Sequence, residues 1–294
     1  MKRERLLRLC GVILLCIAAV ASAALLRAGR AEWLLRALRA TYRVPEAPLQ
    51  AFGSFHLAWL GGCICAAVLA GVLGWRTCSE TVTDRVVFGA GVVFFLLEWY
   101  KQLFSYYVLG SGTYDFTVFP FQFCSLPIYV CLLAPLLGRR AKHTLYAFLA
   151  LFGTVGGYLV MAYPNLPAST TMCVHTMLWH SGMIALGVYL LVAERCGGSF
   201  RQDYLPAAGV FLASFAAATG WNLLLEPLSG GTVNLFYMSP YRKTYFLVVR
   251  EVQRLWGWGA SAAAYILLFL LVGALPLWFL GVILCRVRKK GRKN

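Results

Sequence analysis

Residues 55–74 read FHLAWLGGCICAAVLAGVLG, and none of them is Asp, Glu, Lys or Arg. A helix of about 20 residues rises about 30 Å and satisfies its own backbone hydrogen bonds, so it can cross the hydrocarbon core of a bilayer. Comparable runs, eight in all, lie at 10–26, 55–74, 86–108, 121–137, 145–163, 172–192, 205–225 and 260–285. The pattern predicts an all-α fold, a polytopic transmembrane helix bundle of seven core helices plus an N-terminal hydrophobic segment.

The composition agrees with a membrane protein and excludes an ordinary soluble domain. Apolar residues make up 60% of the 294 residues and charged residues 13%, and the mean hydropathy is +0.70. A soluble domain carries about 25% charged residues to cover its surface. The net charge of +16 is concentrated at the ends of the apolar runs. Such charges are attracted to anionic lipid headgroups, so we expect membrane phospholipids and no nucleic acid as partners. No sequence pattern sets an oligomeric state.

The domain organisation and the sidedness follow from the same charges. We predict an N-terminal anchor-like or signal-like helix with a basic interfacial segment over 1–50, a multi-pass membrane domain over 51–285 and a basic tail over 286–294. The Lys and Arg residues of the tail place the C-terminus in the cytoplasm. Counting backwards puts the loops around residues 76, 139 and 195 inside, and the segments 109–120 and 164–171 outside.

The N-terminal fifty residues contain one exception to this rule. Five arginines that would then lie outside are Arg27, Arg30, Arg36, Arg39 and Arg43. Because Trp33, Leu34 and Leu38 share one side of residues 31–42, a helix lying on the membrane surface is expected there. The first apolar run also resembles a signal peptide, since it ends in the small residues 21–23. A cleaved signal and a retained anchor both remain open.

Polar residues inside the apolar runs indicate a site. They are His56, Glu98, Lys101, Gln122, Cys124, His175, His180 and Asn222. With helices alternating in direction, all of them fall in the outer halves of their spans, and the inner halves carry almost nothing comparable. Buried polar groups are costly in lipid and often mark a functional path, so one polar layer near the outer leaflet is predicted.

Ion pairing and histidine chemistry are the alternatives within this layer. Glu98 and Lys101 are three residues apart on one predicted helix, close enough to form a structural ion pair. Each histidine alone would be satisfied by a carbonyl on a neighbouring helix, whereas three at one depth favour a site. A metal held by His56, His175 and His180 lacks a local ligand motif such as H-E-x-x-H, and no metal or cofactor is expected.

Cys124 has the setting of a nucleophile. Most of the ten cysteines lie at irregular spacing in apolar helices, as packing residues do. Pro120 suits the first position of a helix, which would put Cys124 about one turn in, where the helix dipole favours a thiolate. Pro127 would leave the carbonyl of Phe123 without its usual donor and loosen the helix beside the thiol. A nearby histidine could then act as a base.

Four segments together resemble a known family. They are AFGSFHLAWL at 51–60, FPFQFCSLPIYVCLL at 119–133, HTMLWHSGMIALGVYLL at 175–191 and TGWNLLLEPLSGGTVNLFYMSPY at 219–241. In this order they are similar to the YwaF-like bacterial integral membrane proteins, which are related to the transmembrane protein 164 acyltransferases. The resemblance implies a bacterial plasma membrane protein that moves an acyl chain between phospholipids through a cysteine thioester. It places the nucleophile on Cys124 and the assisting histidine on His180.

Two functions of different classes stay open at this point. In the first, the chain is an acyltransferase in which Asn222 or Asn234 donates hydrogen bonds to the oxyanion. In the second, the polar layer belongs to a transporter or a non-catalytic lipid-binding or small-molecule-binding protein, with Glu98, Lys101 and the histidines relaying protons. No inverted repeat with matching broken helices supports transport in the sequence.

Overall fold

The computed structural model of the chain describes residues 2–77, 79–194 and 199–276, and this part contains helices and no strand. The α-helices are α1 Lys2–Arg27, α2 Glu32–Ala40, α3 Ser54–Arg76, α4 Glu80–Phe104, α5 Leu126–Leu133, α6 Arg139–Phe148, α7 Thr154–Ala162, α8 Thr170–Ala193, α9 Leu205–Ser229 and α10 Leu247–Gly273. A π-helical turn at Leu149–Gly153 joins α6 to α7, and another at Phe200–Tyr204 leads into α9.

Six helices in the described part are long and apolar enough to cross a membrane, which confirms the polytopic all-α fold. They are Arg3–Arg27, Ser54–Arg76, Arg139–Ala162, Thr170–Ala193, Phe200–Ser229 and Leu247–Gly273. The predicted count of eight is not confirmed. The run 86–108 corresponds to α4 and the π-turn Ser105–Leu109, and the run 121–137 is broken. There 3₁₀ turns at Phe123–Ser125 and Ala134–Leu136 flank the short α5, because Pro127 suits the first turn of a helix and Pro135 disfavours its continuation.

The last apolar helix begins earlier than the sequence suggests. The predicted run starts at 260, whereas α10 starts at Leu247. Gly257 joins two segments of α10 with φ 80° and ψ −177°, a conformation that glycine reaches without strain. The remainder of the run from residue 277 and the basic tail 286–294 lie outside the described residues.

Contacts along α4 define two ends of the bundle. Asp84 near the start of α4 contacts Lys142 of α6, and Arg85 contacts Glu4 of α1 at 2.9 Å. Glu98 lies 14 residues further along α4, about 21 Å away at 1.5 Å per residue. We call these the Asp84 end and the Glu98 end. The predicted alternation of the helices agrees with this division, because the loops around 76 and 139 lie at the Asp84 end.

A helix expected over 31–42 is present as α2, at the Glu98 end. Leu38 is buried against the end of α1 and against Phe104 of α4. Trp33 is 67% exposed on the protein, whereas Leu38 packs into it. The basic segment thus covers the Glu98 end with an apolar stripe inside and an exposed indole.

Two glycines in α7 set the spacing of the elements that carry the site. A methyl group on Gly157 would lie 2.8 Å from the carbonyl oxygen of His180, and one on Gly156 would overlap the ring of Phe123. The backbone of α7 therefore packs directly on α8 and on the turn that precedes α5, as small residues allow between membrane helices. Residues 123 and 180, on two different elements, are positioned by one short stretch of α7.

Candidate functional site

A cavity of about 980 Å³ lies at the Glu98 end, between α4, α7, α8, the start of α10 and the loop that follows α9. Six residues predicted for the site line it: Lys101, Gln122, Cys124, His175, His180 and Asn234. Three others, namely His56, Glu98 and Asn222, do not line it. The structure thus brings two thirds of the predicted residues to one space.

Cys124 lies in the 3₁₀ turn Phe123–Ser125, directly before α5, and is half-buried. Its carbonyl oxygen accepts a hydrogen bond of 2.9 Å from the indole Nε1 of Trp179. The predicted helix start at Pro120 was wrong, because α5 begins at Leu126. Pro127 is therefore in the first turn, where a missing N–H costs nothing, and it does not loosen a helix. Cys124 thus lies directly before the N-terminus of α5, while its burial disfavours the charged thiolate.

His180 is held in one tautomer. Its Nδ1 lies 2.7 Å from the carbonyl oxygen of Thr176, and a carbonyl can only accept, so Nδ1 carries the proton. Its Nε2 is buried and has no hydrogen-bond partner in the described part of the chain. In the neutral ring this nitrogen has a free lone pair. His180 therefore offers an oriented, unsatisfied base on the wall of the cavity.

The other two histidines have different roles. His56 is fully buried; its Nδ1 accepts from the backbone N–H of Phe52 at 2.9 Å and its Nε2 donates to Met161 O at 2.9 Å. Both ring nitrogens are used, and Phe52 has a φ of 63°, so His56 stabilises a strained turn beside the end of α7. His175 donates from Nε2 to Leu97 O at 3.1 Å and lies on the cavity wall.

The ion pair predicted from its spacing is present. Lys101 Nζ lies 2.9 Å from Glu98 Oε1. The same oxygen accepts from Gln102 Nε2 at 2.7 Å, while Glu98 Oε2 is buried without a partner in the residues described. The Lys101 ammonium also lies 5.9 Å from the ring centroid of Trp179, within the range of a cation–π contact. This cation links the ion pair to the tryptophan that binds the Cys124 carbonyl.

Gln102 and Tyr114 belong to this network and were missed by the sequence analysis. Gln102 Nε2 donates to Val118 O at 2.6 Å, and the Tyr114 hydroxyl donates to Gln102 Oε1 at 3.0 Å. Tyr114 is in the connection between α4 and α5, where burial raises the pKa of its hydroxyl to about 12 and keeps it a donor. Gln102 lies four residues after Glu98, a spacing that could have indicated it.

Asn222 and Gln122 hold the loop after α9. Asn222 donates to Leu235 O at 3.1 Å and accepts from Leu235 N at 2.7 Å. Gln122 accepts from Phe236 N at 2.9 Å and donates to Asn234 O at 3.1 Å. Phe236 has a φ of 56°, a left-handed conformation that these bonds must hold. Asn222 is buried and does not line the cavity, so its proposed role as an oxyanion donor stays a prediction.

Asn234 retains a free donor. Its Oδ1 accepts from Ser239 N at 2.9 Å, and its Nδ2 has no hydrogen-bond partner among the residues described. Because Asn234 lines the cavity, this amide group is available to a ligand oxygen.

A second buried polar cluster lies at the Asp84 end, just outside the predicted apolar runs. At the Asp84 end, Lys142 Nζ lies 3.0 Å from Asp84 Oδ2, and the Tyr146 hydroxyl donates to Asp84 Oδ1 at 2.8 Å. Lys142 also pairs with Glu80, and Arg8 of α1 lies 3.6 Å from Asp84. Asp84 and Lys142 flank the predicted apolar runs in the sequence, yet each is under 10% exposed in the structure.

No group of three or more His, Cys, Asp or Glu side chains in residues 2–77, 79–194 and 199–276 is arranged to hold a metal ion. The seven cysteines in these ranges are free thiols.

Comparison with known proteins gives one match. The model of the TMEM164 family matches residues 51–281, which leaves the first fifty residues uncovered. No curated protein and no solved structure matches the chain.

Proposed function

The chain belongs to the TMEM164 family and is a multi-pass membrane protein, and from this premise we propose that its cavity transfers a fatty acyl chain between phospholipids through a thioester on Cys124. The observation that supports the proposal is that Cys124 and His180 line one cavity. There the His180 Nε2 has no hydrogen-bond partner among the described residues, so it is available as a base. A buried polar atom left unsatisfied costs stability, so its retention favours a functional role.

The reaction needs only groups of the chain and two lipids. His180 Nε2 takes the proton of the Cys124 thiol, and the thiolate attacks the ester carbonyl of a phospholipid. The Asn234 amide donates to the oxyanion, and a C–S bond forms as the C–O bond breaks. The proton on His180 passes to the departing alkoxide, which gives a lysophospholipid and an acyl-cysteine.

The second half reverses these steps with another acceptor. The hydroxyl of a different lysophospholipid loses its proton to His180 Nε2 and attacks the thioester. The Cys124 thiolate leaves and recovers that proton from His180. Atoms and charges balance without a redox partner or a cofactor, and the acyl chain has moved from one glycerol backbone to another.

The walls of the cavity suit such a substrate. Apolar side chains of α7, α10 and the loop after α9 line most of it, including Leu159, Val160, Leu268 and Phe269. Among the polar groups, Cys124, His175 and His180 come from α8 and the turn before α5, and Asn234 from the loop after α9. An acyl chain could lie along the apolar part while its ester meets the thiol, as is usual for sites with few, placed polar groups.

A second candidate function is supported by the charged groups of α4. Glu98 Oε2 has no partner in the described part and Lys101 lines the cavity, while Asp84 and Lys142 form a second buried pair at the other end. Buried ionisable residues within spans mark proton relays in pumps and transporters. In that reading the cavity binds a lipid or solute without covalent chemistry.

We also propose the YwaF-like bacterial group and the plasma membrane as the setting, with the C-terminal tail in the cytoplasm. This sidedness makes the Asp84 end cytoplasmic and the Glu98 end external. The acyl donor would then enter from the outer leaflet.

Formation of a thioester distinguishes an acyltransferase from a transporter or binding protein. Purified protein incubated with an alkyne-labelled diacyl phospholipid should retain a label that hydroxylamine removes. Cys124→Ser should abolish the adduct, and His180→Ala should slow its formation at least about 100-fold, since general bases contribute about 10²–10⁴-fold. The matched control is Cys131→Ser, because Cys131 is fully buried against Gly91 and does not line the cavity.

A hydroxylamine-sensitive acyl adduct that persists in Cys124→Ser would exclude a thioester on Cys124. If no adduct forms with any lipid while the protein transports solute or binds lipid reversibly, the transporter or binding function replaces the enzyme.

A further inference from the structure

Three cations stand at the mouth of the cavity. Arg242, Lys243 and Arg250 line it, and all three are exposed. The same three residues line an adjoining surface pocket of about 520 Å³, together with Arg254 and Glu251. The cations therefore form a ridge between the apolar cavity and the surface of the Glu98 end.

Hydrogen bonds fix the backbone of the ridge in place. Gln253 Oε1 accepts from Thr244 N at 2.9 Å, and Gln253 Nε2 donates to Arg242 O at 2.8 Å. Arg242 Nε in turn donates to Gly231 O. These bonds fasten the segment 242–244 to α10 on one side and to the loop after α9 on the other. The cationic side chains thus project from a fixed backbone.

The charge of the ridge is not balanced by the chain. Glu251 is paired with Arg254 at 2.8 Å. Lys243 and Arg250 have no carboxylate partner among the residues described. Arg250 also lies in the first turn of α10, where the positive end of the helix dipole disfavours a cation. Under the proposed sidedness these cations lie outside, against the positive-inside rule. An anionic ligand would compensate the missing carboxylates, the unfavourable helix dipole and the unfavourable position of the cations outside.

We propose that this ridge binds the phosphate of the phospholipid headgroup and that it prefers headgroups with a net negative charge over those that carry an ammonium group. The inference rests on the proposed lipid substrate and adds its headgroup class. A phosphate between Arg242, Lys243 and Arg250 would leave the glycerol esters at the mouth and the acyl chain inside. An ammonium group in the headgroup would meet the same cations and be repelled.

Binding tests this without requiring catalysis. The dissociation constants of short-chain phosphatidylglycerol and phosphatidylcholine are measured on the purified Cys124→Ser protein, which cannot turn them over. We expect phosphatidylglycerol to bind about tenfold more tightly. Lys243→Gln with Arg250→Gln should bring the ratio close to one, because each cation near a lipid surface contributes about fivefold. Both side chains are exposed and unpartnered in the described part, so the melting temperature of this variant should be unchanged.

The matched control removes the same charge elsewhere. Arg140→Gln with Arg201→Gln alters two exposed arginines of the Asp84 end and should keep the preference. Equal loss in both double variants would mean a nonspecific effect of net charge and would overturn the proposal. Equal dissociation constants for the two lipids on the Cys124→Ser protein without further substitutions would also overturn the proposal.

Inorganic phosphate distinguishes a lipid headgroup from free phosphate. If millimolar phosphate binds alone and displaces phosphatidylglycerol completely, the ridge is a free-phosphate site and the lipid assignment fails. Weak competition that leaves the preference intact supports it. The acyl adduct is measured separately in protein with an intact Cys124, so absence of the thioester and absence of the headgroup preference are separate results.

Discussion

Replacing Lys101 by Met should lower the free energy of unfolding by about 3–5 kcal/mol, because it leaves the Glu98 carboxylate buried without its counter-charge. Lys101 Nζ lies 2.9 Å from Glu98 Oε1, and the two side chains are only 15% and 8% exposed. At an effective dielectric constant of about 20, two unit charges at that distance attract by about 6 kcal/mol, part of which offsets their lost hydration. The Gln102 amide would remain the only donor to the carboxylate in the described part.

The double variant Lys101→Met with Glu98→Gln should recover most of this loss. It removes both charges, keeps the volumes similar, and leaves an amide oxygen that Gln102 can still bind. The unfolding free energies of the four proteins, measured by steric trapping in micelles, form a double-mutant cycle. We expect a coupling energy of at least about 2 kcal/mol, within the range seen for residues in contact.

Lys243→Met is the control for loss of a lysine at the same end. Lys243 is exposed and has no carboxylate partner in the described residues, so the expected change is within about 0.5 kcal/mol. Losses that simply add in the double variant would refute the reasoning, because they would mean that Glu98 and Lys101 do not stabilise each other.

Two further predictions concern packing and topology. Gly157→Ala should destabilise the protein by about 1–3 kcal/mol and slow adduct formation, because its methyl group would meet the His180 carbonyl oxygen at 2.8 Å. Gly61→Ala, with nothing within 4 Å, should not destabilise it, and equal effects on both would contradict this account. Cysteines introduced one at a time should be labelled from the cytoplasm in the loop 139–143 and from outside in 109–120. Labelling of 109–120 from the cytoplasm would reverse the proposed sidedness.

The sequence predicts the elements of this fold better than their junctions. Charge-free runs identify the spans because the lipid requirement acts on each run alone. The Glu98–Lys101 pair is predictable for the same reason, since both partners lie on one helix turn. By contrast, the buried contact of Asp84 with Lys142 joins residues 58 positions apart, and no local pattern reports it.

In the candidate site, too, local patterns predict the residues but not the partners that the fold supplies. Cys124, His175 and His180 were found because polar residues in apolar runs are conspicuous, and they do line one cavity. Asn222 was found by the same criterion, but its amide is used by the backbone of Leu235, a partner that only the fold supplies. The sequence does not indicate the cationic ridge, because exposed Arg and Lys residues between spans resemble ordinary flanking charges.

The hydrogen bond from the Trp179 indole to the Cys124 carbonyl has a mechanical consequence. Trp179 precedes His180 on α8, so one stretch of helix carries both His180 and the indole that binds the turn of Cys124. Bilayers of different thickness change the tilt of membrane helices. When α8 tilts or slides, the turn that holds Cys124 is drawn with it, because the indole binds the backbone of that turn. Under the proposed mechanism, such an arrangement would keep Cys124 and His180 together in membranes whose lipid chains differ in length.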